Sequence, residues 1–213
     1  MARLKQDFTK EDPWRIFRIM SEFVDGFETM ADVDNGVAIF GSSCAKPASI
    51  YYKMAEETGR LLAKAGYAVI TGAGPGIMEA ANKGAKLAGG ESIGLNILIP
   101  ARQVPNKYIT RLIEFKYFFC RKVVFAKNSK AFVVFPGGFG TLDELFEAIT
   151  LIQTERIEPF PVILLGKDYW SGLMKWLSAT ALKAGFIEKD NLHLFSITDS
   201  PSEAVATIKR FYK

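Results

Sequence analysis

A chain of 213 residues, 49% of them hydrophobic and 23% charged, is long enough for one large core and short for two. Its formal net charge of +4 comes from basic residues scattered along the chain, a pattern that describes a solvated surface better than a nucleic-acid-binding stripe. Two cysteines, Cys44 and Cys120, stand far apart with no second Cys or His at metal-ligand spacing, which argues against a disulfide framework and a metal module and for reduced thiols.

The N-terminus, Met1 to Asp7, is charged, and no continuous apolar stretch follows that is long enough for a signal peptide or a bilayer span. A cytoplasmic protein without membrane or nucleic-acid partners is expected. Residues 1–213 read as a single domain with an N-terminal helical extension over about 1–35. Within that extension, Pro13 to Met30 carries Trp14, Ile16, Phe17, Ile19, Met20, Phe23, Val24 and Phe27 close to helical spacing, with Asp12 placed to cap and Pro13 in the first turn. So aromatic a face either covers the domain's own sheet or meets another subunit.

Gly36 to Phe40 is a short apolar strand that ends in Gly41-Ser42-Ser43, and a helix from about Pro47 to Lys64 follows. Gly66 stops that helix, Tyr67 to Thr71 forms a second strand, and Gly72-Ala73-Gly74-Pro75-Gly76 turns into an alanine-rich helix ending near Gly89-Gly90. Ser92 to Ile99 reads as a third strand stopped by Pro100, after which Gln103, Pro105, Asn106 and Tyr108 mark a working loop. A helix from about Tyr117 to Asn128 carries Arg121 and Lys122. The fourth strand, Ala131 to Phe135, runs into Pro136-Gly137-Gly138-Phe139-Gly140-Thr141-Leu142-Asp143-Glu144 and a helix to about Ile152. Pro161 to Leu165 is a fifth strand, Tyr169 to Ala184 a helix, His193 to Ile197 a sixth strand, and Ser200 to Phe211 a closing helix. Apolar strands alternating with helices predict an α/β, doubly wound, Rossmann-like parallel sheet with helices on both faces. Ligands of such sheets sit at the carboxyl ends of the strands, where three loops converge: 41–43, 72–76 and 137–141.

The glycines of the last loop let a bound group approach the backbone, and the helix that follows offers free N–H groups and a positive dipole end, so an anion is expected there. Thr141 and Glu144 also have the spacing of a capping box, which gives Glu144 a purely structural alternative role. The loop at 72–76 has Gly-x-Gly-x-Gly spacing rather than that of a dinucleotide fingerprint, and no acid stands about 20 residues on, at Gly94-Leu95-Asn96-Ile97. Neither loop continues into a Walker lysine. Two glycine loops at two strand ends suggest one compact phosphorylated ligand, such as a mononucleotide. Arg121 offers a permanently charged donor fork; Lys122 beside it points roughly 100° away along a helix. Asp143 and Glu144 are likewise adjacent, so one carboxylate rather than a facing pair is expected to work. His193, the sole histidine, reads as structural.

Phe40-Gly-Ser-Ser43, Thr71-Gly-Ala-Gly-Pro-Gly-Ile-Met-Glu-Ala80, Phe118-Phe-Cys-Arg-Lys122 and the run from Pro136 to Glu144 together resemble the Lonely-Guy family of cytokinin-activating phosphoribohydrolases, long mislabelled as lysine decarboxylases. Trp14 to Phe23 resembles the extension of its longer bacterial members. The resemblance implies hydrolysis of the N-glycosidic bond of a nucleoside 5′-monophosphate to free base and ribose 5-phosphate, without metal or cofactor, in a dimer or larger homo-oligomer. By it, Arg121 and Glu144 are catalytic. The expected substrate-binding set is Gly41, Ser42, Ser43, Gly72, Gly74, Gly76, Met78, Glu79, Asn106, Lys122, Gly137, Gly138, Gly140, Thr141, Asp143 and Thr150. Ala73 replaces a common third glycine, an exchange suited to a negative φ, and Pro100 to Gln103 lacks a glutamate that relatives often carry. A molybdenum-cofactor carrier of the same fold is the alternative. The decarboxylase label would need pyridoxal phosphate on a lysine, and none stands in a recognisable setting.

Overall fold

The computed structural model describes residues 14–99 and 104–213, so the expected cap at Asp12 and Pro13, and the departures at Arg102 and Gln103, lie outside the described residues. The strands are β1 (Gly36–Phe40), β2 (Ala68–Thr71), β3 (Ser92–Ile97), β4 (Arg111–Phe115), β5 (Ala131–Val134), β6 (Val162–Leu165) and β7 (Ser196–Thr198). The α-helices are α1 (Arg15–Thr29), α2 (Ile50–Lys64), α3 (Ile77–Leu87), α4 (Phe118–Lys127), α5 (Phe139–Gln153), α6 (Lys167–Trp176) and α7 (Pro201–Phe211).

All seven strands join one parallel sheet in the order β4-β3-β2-β1-β5-β6-β7. Parallel neighbours require crossovers, and the helices that supply them cover both faces. Side chains alternate along β1: Val37 and Ile39 enter the core under α2, α3 and α7, whereas Ala38 and Phe40 enter the core shared with α1, α4, α5 and α6. This is the doubly wound arrangement expected. Because the chain leaves β1 toward β2 and later returns on its other side as β5, the switch point lies between β1 and β5, with a crevice at their carboxyl ends.

Four local expectations are corrected. Arg111–Phe115, to which the sequence reading assigned no element, is an edge strand that pairs with β3. His193 does not lie in a strand: it closes a 3₁₀ turn, Lys189–His193, and the last strand starts at Ser196. The helix expected to reach Ala184 gives way after Trp176 to a π-helical stretch, Leu177–Leu182. Finally, α1 buries only part of its apolar surface. Ile19, Phe23 and Phe27 pack on the core, while Trp14, Phe17, Met20 and Val24 are each more than half exposed.

Candidate active site

Three loops meet at the carboxyl end of the sheet, and Ser42 laces them together. Its backbone N–H donates to the Pro136 carbonyl at 2.9 Å, and its carbonyl accepts the Ile77 N–H at 3.0 Å. Gly76, with φ +70, caps α3 against this contact; a Cβ there would stand 2.4 Å from the Ser42 carbonyl oxygen. On the other side, a Cβ at Gly137 would lie 2.1 Å from Thr141 Oγ1. Gly76 is dictated by the close approach of the 41–43 loop, and Gly137 by the Thr141 side chain folded back on it.

Helix α5 starts earlier than the capping-box reading placed it. Gly138 in an extended conformation takes the cap position, no side chain caps the helix, and Thr141 is already inside its first turn. Its N–H bonds the Gly138 carbonyl at 3.0 Å and its side chain is tucked against Gly137. The Thr141–Glu144 capping box is therefore not formed, because a box requires its threonine at the non-helical boundary. Glu144 instead turns inward and is 4% exposed.

Facing it is Arg121 on α4. Glu22 of α1 accepts the backbone N–H groups of Lys116 and Tyr117 at 2.9 and 3.2 Å, fixing the entry to α4. The Arg121 guanidinium lies 5.2 Å from the Phe118 ring centroid and 5.9 Å from that of Phe125. Arg121 Nη2 stands 3.9 Å from Glu144 Oε1, beyond hydrogen-bonding distance, and Arg121 Nε is buried with no hydrogen-bond partner. Burial raises the Glu144 acid to about 7, with Arg121 and Lys122 opposing the shift. Burial also lowers the Arg121 pKa, opposed by Glu144 and Asp143.

Between these groups is a cavity of about 390 Å³. Of the expected residues it gathers Gly41, Ser42, Ser43, Gly72, Met78, Arg121, Gly138, Gly140, Thr141 and Glu144. Gly74, Gly76 and Asn106 stand behind the wall, where the Asn106 amide donates to the carbonyls of Ala73 and Gly74 at 3.1 Å each. Gly137 lines a neighbouring groove with Tyr169, whose hydroxyl donates to the Gly137 carbonyl at 2.5 Å. Glu79 faces α2 and accepts from the Tyr52 hydroxyl at 3.3 Å. Lys122 turns out of the cavity to Asp143 at 3.0 Å and Glu147 at 2.7 Å, so the two adjacent pairs divide their roles as helical geometry requires. Thr150 lies along α5 on an outer groove with Phe139 and Asp143, its hydroxyl bonded to the Phe146 carbonyl at 2.7 Å. Sequence reasoning missed the apolar half of the cavity: Phe40, Ile97, Ile99, Phe118 and Phe125. Their residue types carry no ligand signal, and only their position, at or just past the ends of β1 and β3 and on α4 around Arg121, marks them. Ala73, expected at negative φ, has φ +66.

A profile of the family described as "Possible lysine decarboxylase" matches residues 78–208, more than half of the chain. The chain belongs to this family, the Lonely-Guy family. Among its relatives is a probable cytokinin riboside 5′-monophosphate phosphoribohydrolase, LOGL9 of Oryza sativa subsp. japonica, 34% identical over 171 residues that cover 78% of this chain and 74% of the relative. A cytokinin riboside 5′-monophosphate phosphoribohydrolase of Mycobacterium tuberculosis is 28% identical over 156 residues, 72% of this chain and 82% of that protein. Among solved structures, a molybdenum-cofactor carrier protein of Chlamydomonas reinhardtii aligns with a TM-score of 0.60 and 26% identity, covering 83% of this chain and 96% of the carrier. The molybdenum cofactor binding protein of Rippkaea orientalis, 22% identical with a TM-score of 0.62 over 84% of this chain and 98% of its own, shares the fold.

Proposed function

We propose that this protein hydrolyses the N-glycosidic bond of a nucleoside 5′-monophosphate, AMP or an N6-substituted AMP, to free base and ribose 5-phosphate. The observation that carries the reading is a half-buried Arg121, its Nε buried and unpartnered, facing a buried Glu144 at 3.9 Å across a cavity whose rim includes the uncapped start of α5. The names of the plant and mycobacterial relatives support the same activity.

In this mechanism the phosphate sits on the N–H groups at Gly138 to Gly140, where the helix dipole favours negative charge. Binding energy spent there positions the ribose, remote from the bond that breaks. Cleavage develops positive charge on the ribosyl ring, and the Glu144 carboxylate stabilises it in a site where burial strengthens the interaction. Arg121 donates to ribose or phosphate oxygens, and the apolar wall receives the base. The active form is a homo-oligomer in the cytoplasm, its contacts drawing on the exposed side of α1.

Chromatography of the products from a panel of monophosphates tests the activity: free base and ribose 5-phosphate in equal amounts are expected. Nucleosides without the phosphate should be much poorer substrates. Binding of every monophosphate with no cleavage would hand the site to the carrier reading, which the likeness to the Chlamydomonas protein keeps in view.

A further inference from the structure

We infer, building on the nucleotide reading above, that Asn82 is the positioning residue of the 72–76 loop. It does so by clamping Ala73 in a left-handed conformation. An L residue at φ +66 stays there only where its surroundings over-determine it. Both backbone polar groups of Ala73 are held. Its N–H donates to Thr71 Oγ1 at 3.1 Å, and its carbonyl accepts the Asn106 backbone N–H at 2.9 Å and the Asn106 amide at 3.1 Å.

Thr71 and Asn106 are themselves fixed on one atom. Asn82 Oδ1 accepts from Thr71 Oγ1 at 2.6 Å and from Asn106 Nδ2 at 2.9 Å. The other end of the amide, Nδ2, donates to Ser92 Oγ at 2.8 Å and to the Ile93 carbonyl at 3.4 Å, anchoring it to β3. Thr71, Asn82 and Ser92 are fully buried, where a satisfied network is rigid and the loss of one member leaves the others unpaired. The clamp reaches the cavity through Gly72, which lines it: a Cβ built there would stand 3.0 Å from Met78 Sδ and 3.6 Å from Arg121 Nη1. The shape of the loop therefore sets the wall beside the guanidinium, although Asn82 itself does not line the cavity.

Asn82→Leu removes every amide contact at nearly constant volume. Amide hydrogen exchange at Ala73 should quicken at least tenfold in the free variant. The KM for AMP should rise at least tenfold with kcat changed less than threefold, because Arg121 and Glu144 stand on α4 and α5. Adding Ala73→Gly should recover a threefold or larger part of the lost affinity, since glycine holds positive φ without the clamp. A lowered melting temperature with exchange and KM unchanged overturns the assignment, as does a double variant no better than the single one. If the parent protein neither binds nor cleaves nucleotides, the nucleotide reading falls, and exchange at Ala73 alone decides the clamp. Should Asn82→Leu fail to fold, Asn106→Ala, a change at a partly exposed side chain, tests the same hold on Ala73 with the same readouts.

Discussion

Glu144 is the residue on which chemistry and stability meet. Its folded-state acid titrates at about 7, above the ordinary value of 4.5, because burial disfavours the charged form. The folded state thus holds this proton more tightly than the unfolded chain, so the stability it contributes is complete below pH 4.5 and is lost as pH rises toward 7. Ionised Glu144 costs the fold about 3 kcal/mol on that shift. Glu144→Gln should therefore gain up to about 3 kcal/mol over the parent at pH 8 and little at pH 4, measured by urea denaturation at both. Turnover should move the other way, falling by roughly two to three orders of magnitude if the charge stabilises a cationic transition state. The pH profile reports the role directly: kcat/KM of the parent should rise through a midpoint near 7, as a catalytic carboxylate demands. A falling limb there would make Glu144 a proton donor instead.

Among the elements, α1 and α4 form one unit. Two charge-assisted bonds from Glu22 hold the first N–H groups at the entry to α4, and Ile19, Phe23 and Phe27 press on the same core as Cys120, Val124 and Phe125. Glu22→Ala should lower stability by about 1 to 3 kcal/mol, since hydrogen bonds to charged groups are the stronger kind. Because α4 carries Arg121, kcat should also fall, which kinetics well below the melting temperature would reveal. The start of α5 shows why one element was misjudged from sequence. Thr141 and Glu144 have capping-box spacing, but the extended Gly138 opens the helix earlier and the threonine side chain fills the space against Gly137. Motif spacing sets which residues share a face, not where the helix begins.

At the scale of the whole molecule, α1 and the residue before it leave Trp14, Phe17, Met20 and Val24 exposed, and α4, packed against α1, leaves Phe119 exposed. Exposed apolar surface of this kind is the basis of the proposed homo-oligomer. Light scattering should find an oligomer at micromolar concentration, and Phe17→Glu with Met20→Glu should shift it toward smaller species. A monomeric parent would reject this expectation. Among the described residues, no helix is long and apolar enough to cross a membrane.

The doubly wound fold was legible because buried parallel strands and amphipathic helices leave separate periodic signals, and the order of the glycine loops placed the site at their strand ends. Adjacent helix positions point about 100° apart, so only one member of each pair 121/122 and 143/144 was expected at the site; the family resemblance chose Arg121 and Glu144, and these are the two that line the cavity. Other features needed the tertiary structure. Strand β4 hides in five residues with two charges, since an edge strand buries only alternate side chains, here Ile113 and Phe115. The positive φ of Ala73 depends on Thr71, Asn82 and Asn106, which converge only when β2, α3 and the loop before β4 pack together. The acidity of Glu144 and the unpaired Arg121 Nε follow from burial. Local sequence determines which groups are available; desolvation and the exchange of hydrogen bonds between distant segments decide how each behaves.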